Sequence, residues 1–153
     1  MINDNLTLTG ALTISVNNTV VQETKNLVVT AGKNWVANRL KDSATPYAQK
    51  AEMSHMAIGK DTTTIAAAPV LAAHTVLVDE VVRSVLTTDG GVVATNTITY
   101  ACTYAAGTGT AAITEAGIFN ASTGGDMFAR TKFAVVNKGS ADSMTITWVI
   151  TVS

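Results

Sequence analysis

The chain has 153 residues, of which 47% are hydrophobic, 14% charged and 5% aromatic, and its formal net charge is −1. This balance is the opposite of that in disordered chains, and the ten Lys and Arg residues are scattered rather than gathered into the basic patch of a nucleic-acid binder. With so few charges, we expect part of the apolar surface to be covered by copies of the chain or by a partner.

Residues 1–26 alternate apolar with Thr- and Asn-rich polar positions. The apolar positions are Leu6, Leu8, Leu12, Ile14 and Val16. We interpret this stretch as an N-terminal arm or strand-exchange segment for assembly, in front of a single β-sandwich domain at residues 27–153. A basic region followed by an apolar block is missing, and no stretch reaches the roughly 18 apolar residues of a membrane helix. We therefore expect neither a signal peptide nor a membrane partner.

One short helix is predicted near residues 31–42. Val36 and Leu40 recur at helical spacing, Thr30 is a suitable N-cap, and Arg39 lies where the helix dipole favours a cation. At this length the helix needs a sheet to pack on.

Short strands separated by turn residues follow, at residues 53–58, 76–86 and 92–104. Residues 113–133 predict a hairpin with a Gly-containing loop at 122–126. The last strand alternates without a slip, since one face holds Met144, Ile146, Trp148, Ile150 and Val152 and Thr residues occupy the other. Seven to nine strands and one helix predict a mainly β protein, an antiparallel β-sandwich.

Catalytic patterns are not apparent. His55 and His74 have no Cys or carboxylate at metal-ligand spacing, and Cys102 lies in a strand pattern that favours a buried, inert thiol. We predict no catalytic, cofactor or metal site, and we expect the protein not to be an enzyme.

Two charged residues lie in apolar rows. Glu115 alternates with Ile113 and Phe119, and Arg83 lies in the row of Val81 and Val85. A carboxylate in such a row needs a partner, so we predict a structural ion pair between Glu115 and Arg83. Second-choice partners are Arg130 and Glu80. The alternative is a register shifted by one residue, which would leave both charges in solvent.

The order of several motifs resembles a group of small virion proteins of tailed bacteriophages. The motifs are VTAGKNWVANRL at residues 29–40, MAIGKD at 56–61, EVVR at 80–83, ITEAGIFN at 113–120 and MFAR at 127–130. Relatives of that group occur in tail fibres, in baseplates and among capsid decoration (cement) proteins. The ITEAGIFN stretch followed by MFAR is the strongest part of the match, which covers roughly residues 27–153.

The resemblance implies a non-enzymatic virion structural protein, a homotrimer made in the host cytoplasm, whose partners are itself and the major capsid protein or tail proteins. The short chain without fibre-like repeats favours capsid decoration over a tail-fibre or baseplate component.

Two other classes stay open from the sequence. A carbohydrate-binding module would need exposed aromatic residues, for which Tyr47 and Tyr104 are the candidates. A pilus or adhesin subunit would need a secretion signal.

Overall fold

The computed structural model describes residues 6–40, 50–64, 67 and 69–153. Within these residues the chain forms ten strands and one helix. The elements are β1 (Leu8–Val16), β2 (Thr19–Lys25), β3 (Leu27–Val28), α1 (Thr30–Arg39), β4 (His55–Gly59), β5 (Glu80–Val85), β6 (Val92–Ala94), β7 (Thr97–Tyr104), β8 (Ala111–Phe119), β9 (Met127–Lys138) and β10 (Met144–Val152).

The strands form two five-stranded antiparallel sheets that pack face to face. Sheet A has the order β2-β1-β10-β7-β6, and sheet B has the order β3-β9-β8-β4-β5. The predicted antiparallel β-sandwich is therefore confirmed. The strand number exceeds the predicted seven to nine, because two- and three-residue strands such as β3 and β6 are too short to show a period of two.

The core lies between the sheets and is built as the alternation in β10 predicts. Met144, Ile146, Trp148 and Ile150 are at most 1% exposed, while the residues between them are half-buried on the other face. Ile118 and Phe133 complete the core from sheet B. At about 1.5–3 kcal/mol for each large apolar side chain buried, this inter-sheet layer is the main source of stability.

β1 and β2, at residues 8–25, belong to sheet A of the sandwich in this chain, while the predicted division into an arm or strand-exchange segment at 1–26 and a domain at 27–153 stays a prediction. β1 pairs with β10 along its whole length, from Leu8 opposite Val152 to Val16 opposite Met144. Leu12 and Ile14 are at most 1% exposed. The reason is that the edge of β10 opposite β7 has backbone N–H and C=O groups available for pairing, and its inner face is apolar. The alternating residues of β1 are therefore buried without a second copy. Exchange of this segment between copies stays a prediction.

The helix begins at Thr30 itself, with Val29 as N-cap and no side-chain cap, and ends at Arg39 rather than at 42. It packs on β9 through Gly32, where a Cβ atom would lie 2.0 Å from the carbonyl oxygen of Phe128. The absence of a side chain at this position sets how closely the helix approaches sheet B.

β-Bulges in the β8–β9 hairpin change the predicted register. Ile113 pairs with Val136 but Glu115 pairs with Lys132, so two residue steps on β8 oppose four on β9. Ile113 consequently packs in the core between the sheets, while Glu115 faces the outside of sheet B. The predicted row that joined Ile113 to Glu115 is wrong for this reason, since a bulge interrupts the alternation.

The outer face of sheet B is covered by residues 60–79, here called the covering segment, of which 65, 66 and 68 lie outside the described residues. Leu77 packs there with Ala57, Phe119 and Met127 in a second, smaller apolar cluster. The carbonyl oxygen of Ala72 accepts a hydrogen bond from the first amide of α1, at 2.8 Å. Sheet B is thus covered over much of its outer face, whereas none of the residues that the structure describes covers the outer face of sheet A.

Candidate functional site

Charged side chains are buried between sheet B and the covering segment. Asp61, Glu115, Arg130 and Lys132 are each at most 5% exposed. Glu115 lies on β8, and Arg130 and Lys132 occupy alternate positions of the neighbouring β9, so all three face the covering segment. Together with His74 of that segment they form what we call the ion cluster.

The shortest ion pair in the cluster joins Arg130 to Glu115. The guanidinium donates from Nε at 3.0 Å and from Nη2 at 2.6 Å to Oε2 of Glu115. The same carboxylate accepts backbone N–H bonds from Val78 at 3.2 Å and Asp79 at 3.0 Å. A buried carboxylate is tolerated when such donors compensate its desolvation, and here they also attach the end of the covering segment to the sheet.

A second pair holds the beginning of the covering segment. Lys132 Nζ lies 2.8 Å from Oδ2 of Asp61 and donates to the carbonyl and hydroxyl oxygens of Thr63 at 3.0 and 2.7 Å. Arg130 also reaches Asp61, at 3.2 Å. Burial opposes ionisation of Asp61, but the hydrogen bonds from Lys132 and Thr63 outweigh it, so the pKa of Asp61 lies well below its ordinary value.

His74 completes the cluster as an acceptor. Its Nδ1 accepts from the amide of Leu71 at 3.1 Å and from Nη1 of Arg130 at 2.6 Å. Both bonds require a lone pair on Nδ1, and therefore the neutral ring with its proton on Nε2. Burial and the adjacent Arg130 charge lower the pKa of His74, which agrees with this state.

The predicted Glu115–Arg83 pair is not formed, and each residue instead contacts its second-choice partner. Arg83 donates to Glu80 from Nη2 at 2.7 Å and from Nε at 3.0 Å. Its guanidinium also lies over the Phe119 ring, with 3.6 Å between Cζ and the ring centroid, and Nη1 donates to the carbonyl oxygen of Gly124 at 2.9 Å. Arg83 therefore connects β5 to the β8–β9 loop, whereas Glu115 contacts β9 and the covering segment.

The chemistry of the ion cluster is that of a structural connection. Two anions and two cations balance each other, and each makes a bond to an opposite charge or a backbone group. The residues that the structure describes contain no group of three His, Cys, Asp or Glu side chains able to hold a metal ion. His55 contacts Ser54 through Nδ1 at 2.8 Å and lies outside the cluster.

The buried thiol and the two candidate tyrosines have separate outcomes. Cys102 is 0% exposed, as predicted, and burial raises its pKa to about 11. Tyr104 is also 0% exposed and donates its hydroxyl to the carbonyl oxygen of Met56 at 2.8 Å, so it is not available as a stacking platform. Tyr47 lies outside the described residues.

The sequence interpretation missed Asp61, His74 and Lys132. Lys132 could have been found from the strand period of two, because it lies two positions after Arg130 on one strand and so faces the same side. Nothing local could have indicated Asp61, which meets Lys132 only when the covering segment crosses the sheet.

Comparison with known proteins gave no match: no family model, no curated protein and no solved structure is significantly similar to this chain. Among the helices in the described ranges, none has the length and apolar character needed to cross a membrane.

Proposed function

We propose that the chain is a non-enzymatic structural protein of a tailed-bacteriophage virion, and that its place is on the capsid as a decoration or cement protein. The observation that carries the proposal is the role of the residues on which the resemblance depends. Glu115 of ITEAGIFN and Arg130 of MFAR form the central contact of the ion cluster. The most characteristic part of the sequence thus holds the sandwich and its covering segment together, as a building block requires.

A cement protein acts by binding several capsid subunits and resisting their separation. Connections between separate elements of the fold suit this role. Lys132–Asp61 joins β9 to the covering segment, Arg130–Glu115 joins β9 to β8, and the backbone of Thr7 bonds that of Ser153 at 2.6 and 3.0 Å. Exposed valines on the edge strands, such as Val92 and Val93 on β6, offer surface for strand addition or for flat contacts with a capsid lattice or with sister copies in a homotrimer.

A tail-fibre or baseplate component is the second candidate, supported by the same motifs. The carbohydrate-binding alternative needs exposed aromatic residues, but Tyr104 and Trp148 are both 0% exposed. Trp35 is half-buried against Phe128 with its indole N–H bonded to Ala51. We therefore do not favour that alternative.

The proposal is tested by applying gold-labelled antibodies against the purified chain to particles of the virus that encodes it. Label on the heads is the expected result, and label on the tails would move the proposal to the second candidate. Label absent from particles, with the chain present only as free protein in the lysate, would overturn the virion role. Antibody adsorbed beforehand with the purified chain is the control.

A further inference from the structure

The open outer face of sheet A is unusually uniform. The registers of β1, β10 and β7 place twelve outward side chains in four cross-strand rows of three, without a register shift. Nine of the twelve are Ser or Thr, and the others are Ala11, Val149 and Ala101. On a soluble surface with about 25–35% charged residues, three or four of twelve would carry a charge. None does, which is unusual for a surface that stays in water.

Charged residues occur on this face only in β2, which is an edge strand of sheet A. Lys25 lies beside Ala11 in the second row, and Glu23 lies beside Thr13 in the third row. Both side chains are exposed, and neither has an ion-pair partner in the ranges that the structure describes. On the opposite side, β6 contributes Val92 to the outer face.

We propose that this face binds the same face of a second copy of the chain, about a two-fold axis that runs across the strands between the second and third rows. This rotation exchanges the two rows, so Lys25 of each copy lies opposite Glu23 of the other. A two-fold axis along the strands would instead place these charges against β6 and Val92, where they would lose water without gaining a partner. Charge complementarity therefore selects one of the two arrangements.

The shape of the face agrees with the same rotation. The small side chain of Ala11 leaves a shallow hollow bordered by Lys25, Val149 and Thr151. The rotation brings Thr13 of the second copy over this hollow. Hydroxyl groups both donate and accept hydrogen bonds, so a Thr-rich surface is complementary to itself, and the methyl groups can interdigitate at the usual spacing of about 10 Å between sheets.

The area is sufficient for a specific contact. Only β2, β1, β10 and β7 lie opposite the same strands of the second copy, because β6 is three residues long and reaches two rows. Four strands about 4.8 Å apart and four rows about 6.8 Å apart give a face of roughly 19 by 27 Å. Two such faces bury about 1,000 Å² in total, which reaches the size expected of a specific interface. This contact joins two monomers, or two trimers where other contacts form a trimer. It does not depend on where in a virion the protein lies.

The test uses the purified full chain, with its mass measured by light scattering after size-exclusion chromatography at roughly 100 μM. We expect Val149→Lys, in the middle of the face, to halve the mass of the wild type, while its melting temperature shows that it folds. Lys60→Glu, an exposed charge change on the sheet B side, is the control and leaves the mass unchanged. An equal mass for wild type and Val149→Lys would overturn the proposal and leave the virion role standing.

Charge exchange tests the position of the axis. Lys25→Glu places two carboxylates opposite each other and weakens association by roughly tenfold or more. The double variant Glu23→Lys with Lys25→Glu restores the opposite charges, and its dissociation constant returns to within about threefold of the wild type. Failure of the double variant to recover would overturn this arrangement of the two copies.

Discussion

Replacement of Arg130 by Met is the most direct perturbation of the ion cluster. Arg130 is 1% exposed and contacts Glu115, Asp61 and His74. Met fills much of the same space without a charge, so Glu115 would keep its backbone donors but lose its cation. Removing one partner of a buried ion pair costs about 3–5 kcal/mol, because the remaining charge stays desolvated. Domains are stable by only about 5–15 kcal/mol, so this is a large fraction of the total.

The effect is measured by urea unfolding followed through tryptophan fluorescence and by the melting temperature. For a chain of this size, we expect Arg130→Met to lower the melting temperature by about 6–20 °C. The matched control is Lys60→Met. Its ion pair with Asp79 is 3.7 Å long with both side chains about half exposed, at 52% and 53%. Loss of such an exposed pair costs at most about 1 kcal/mol.

A double variant separates the charge from the packing. Adding Glu115→Gln to Arg130→Met removes the uncompensated carboxylate, and the amide oxygen still accepts from the backbone of the covering segment. We therefore expect the double variant to be more stable than Arg130→Met alone. If Arg130→Met costs no more than Lys60→Met, the buried cluster does not stabilise the fold and the reasoning is wrong.

Three further predictions concern pH, close packing and the thiol. The folded-state pKa of His74 lies below the ordinary 6.5, so its contribution to the free energy of unfolding is complete above pH 6.5 and is lost as the pH falls through the lowered pKa. The urea midpoint of the wild type should therefore fall over this pH range, and His74→Gln should not show that fall. Asp61, whose folded-state pKa lies below 3.8, adds a further loss only below that pH, visible in the same titration. Gly32→Ala would place a Cβ atom 2.0 Å from the carbonyl oxygen of Phe128, and we expect it to cost roughly 3 kcal/mol in urea unfolding; no measurable cost would contradict the close approach of the helix. Cys102, with a pKa raised to about 11, should react with a thiol reagent only after unfolding, and fast reaction of the native protein would contradict its burial.

Several features followed from the sequence because they depend on local periodicity. The alternation from Met144 to Val152 predicted both faces of β10, and the structure places the apolar residues from Met144 to Ile150 in the core, while Val152 at the end of the strand is 36% exposed. The helix, the burial of Cys102 and the sandwich class were predicted on the same basis. Such features need only the chemical character of neighbouring residues, which a single sequence contains.

The partners of the charged residues were decided only by the tertiary structure. The sequence indicated that Glu115 needs a cation, but the bulge after Ile113 and the crossing of the covering segment determine that the cation is Arg130 and that Asp61 joins it. Likewise, Leu12 and Ile14 are core residues because β10 offers them a neighbour, which alternation alone cannot show. A periodic pattern specifies which side of a strand is buried, whereas bulges and strand neighbours, which come from contacts distant in sequence, determine what that side meets.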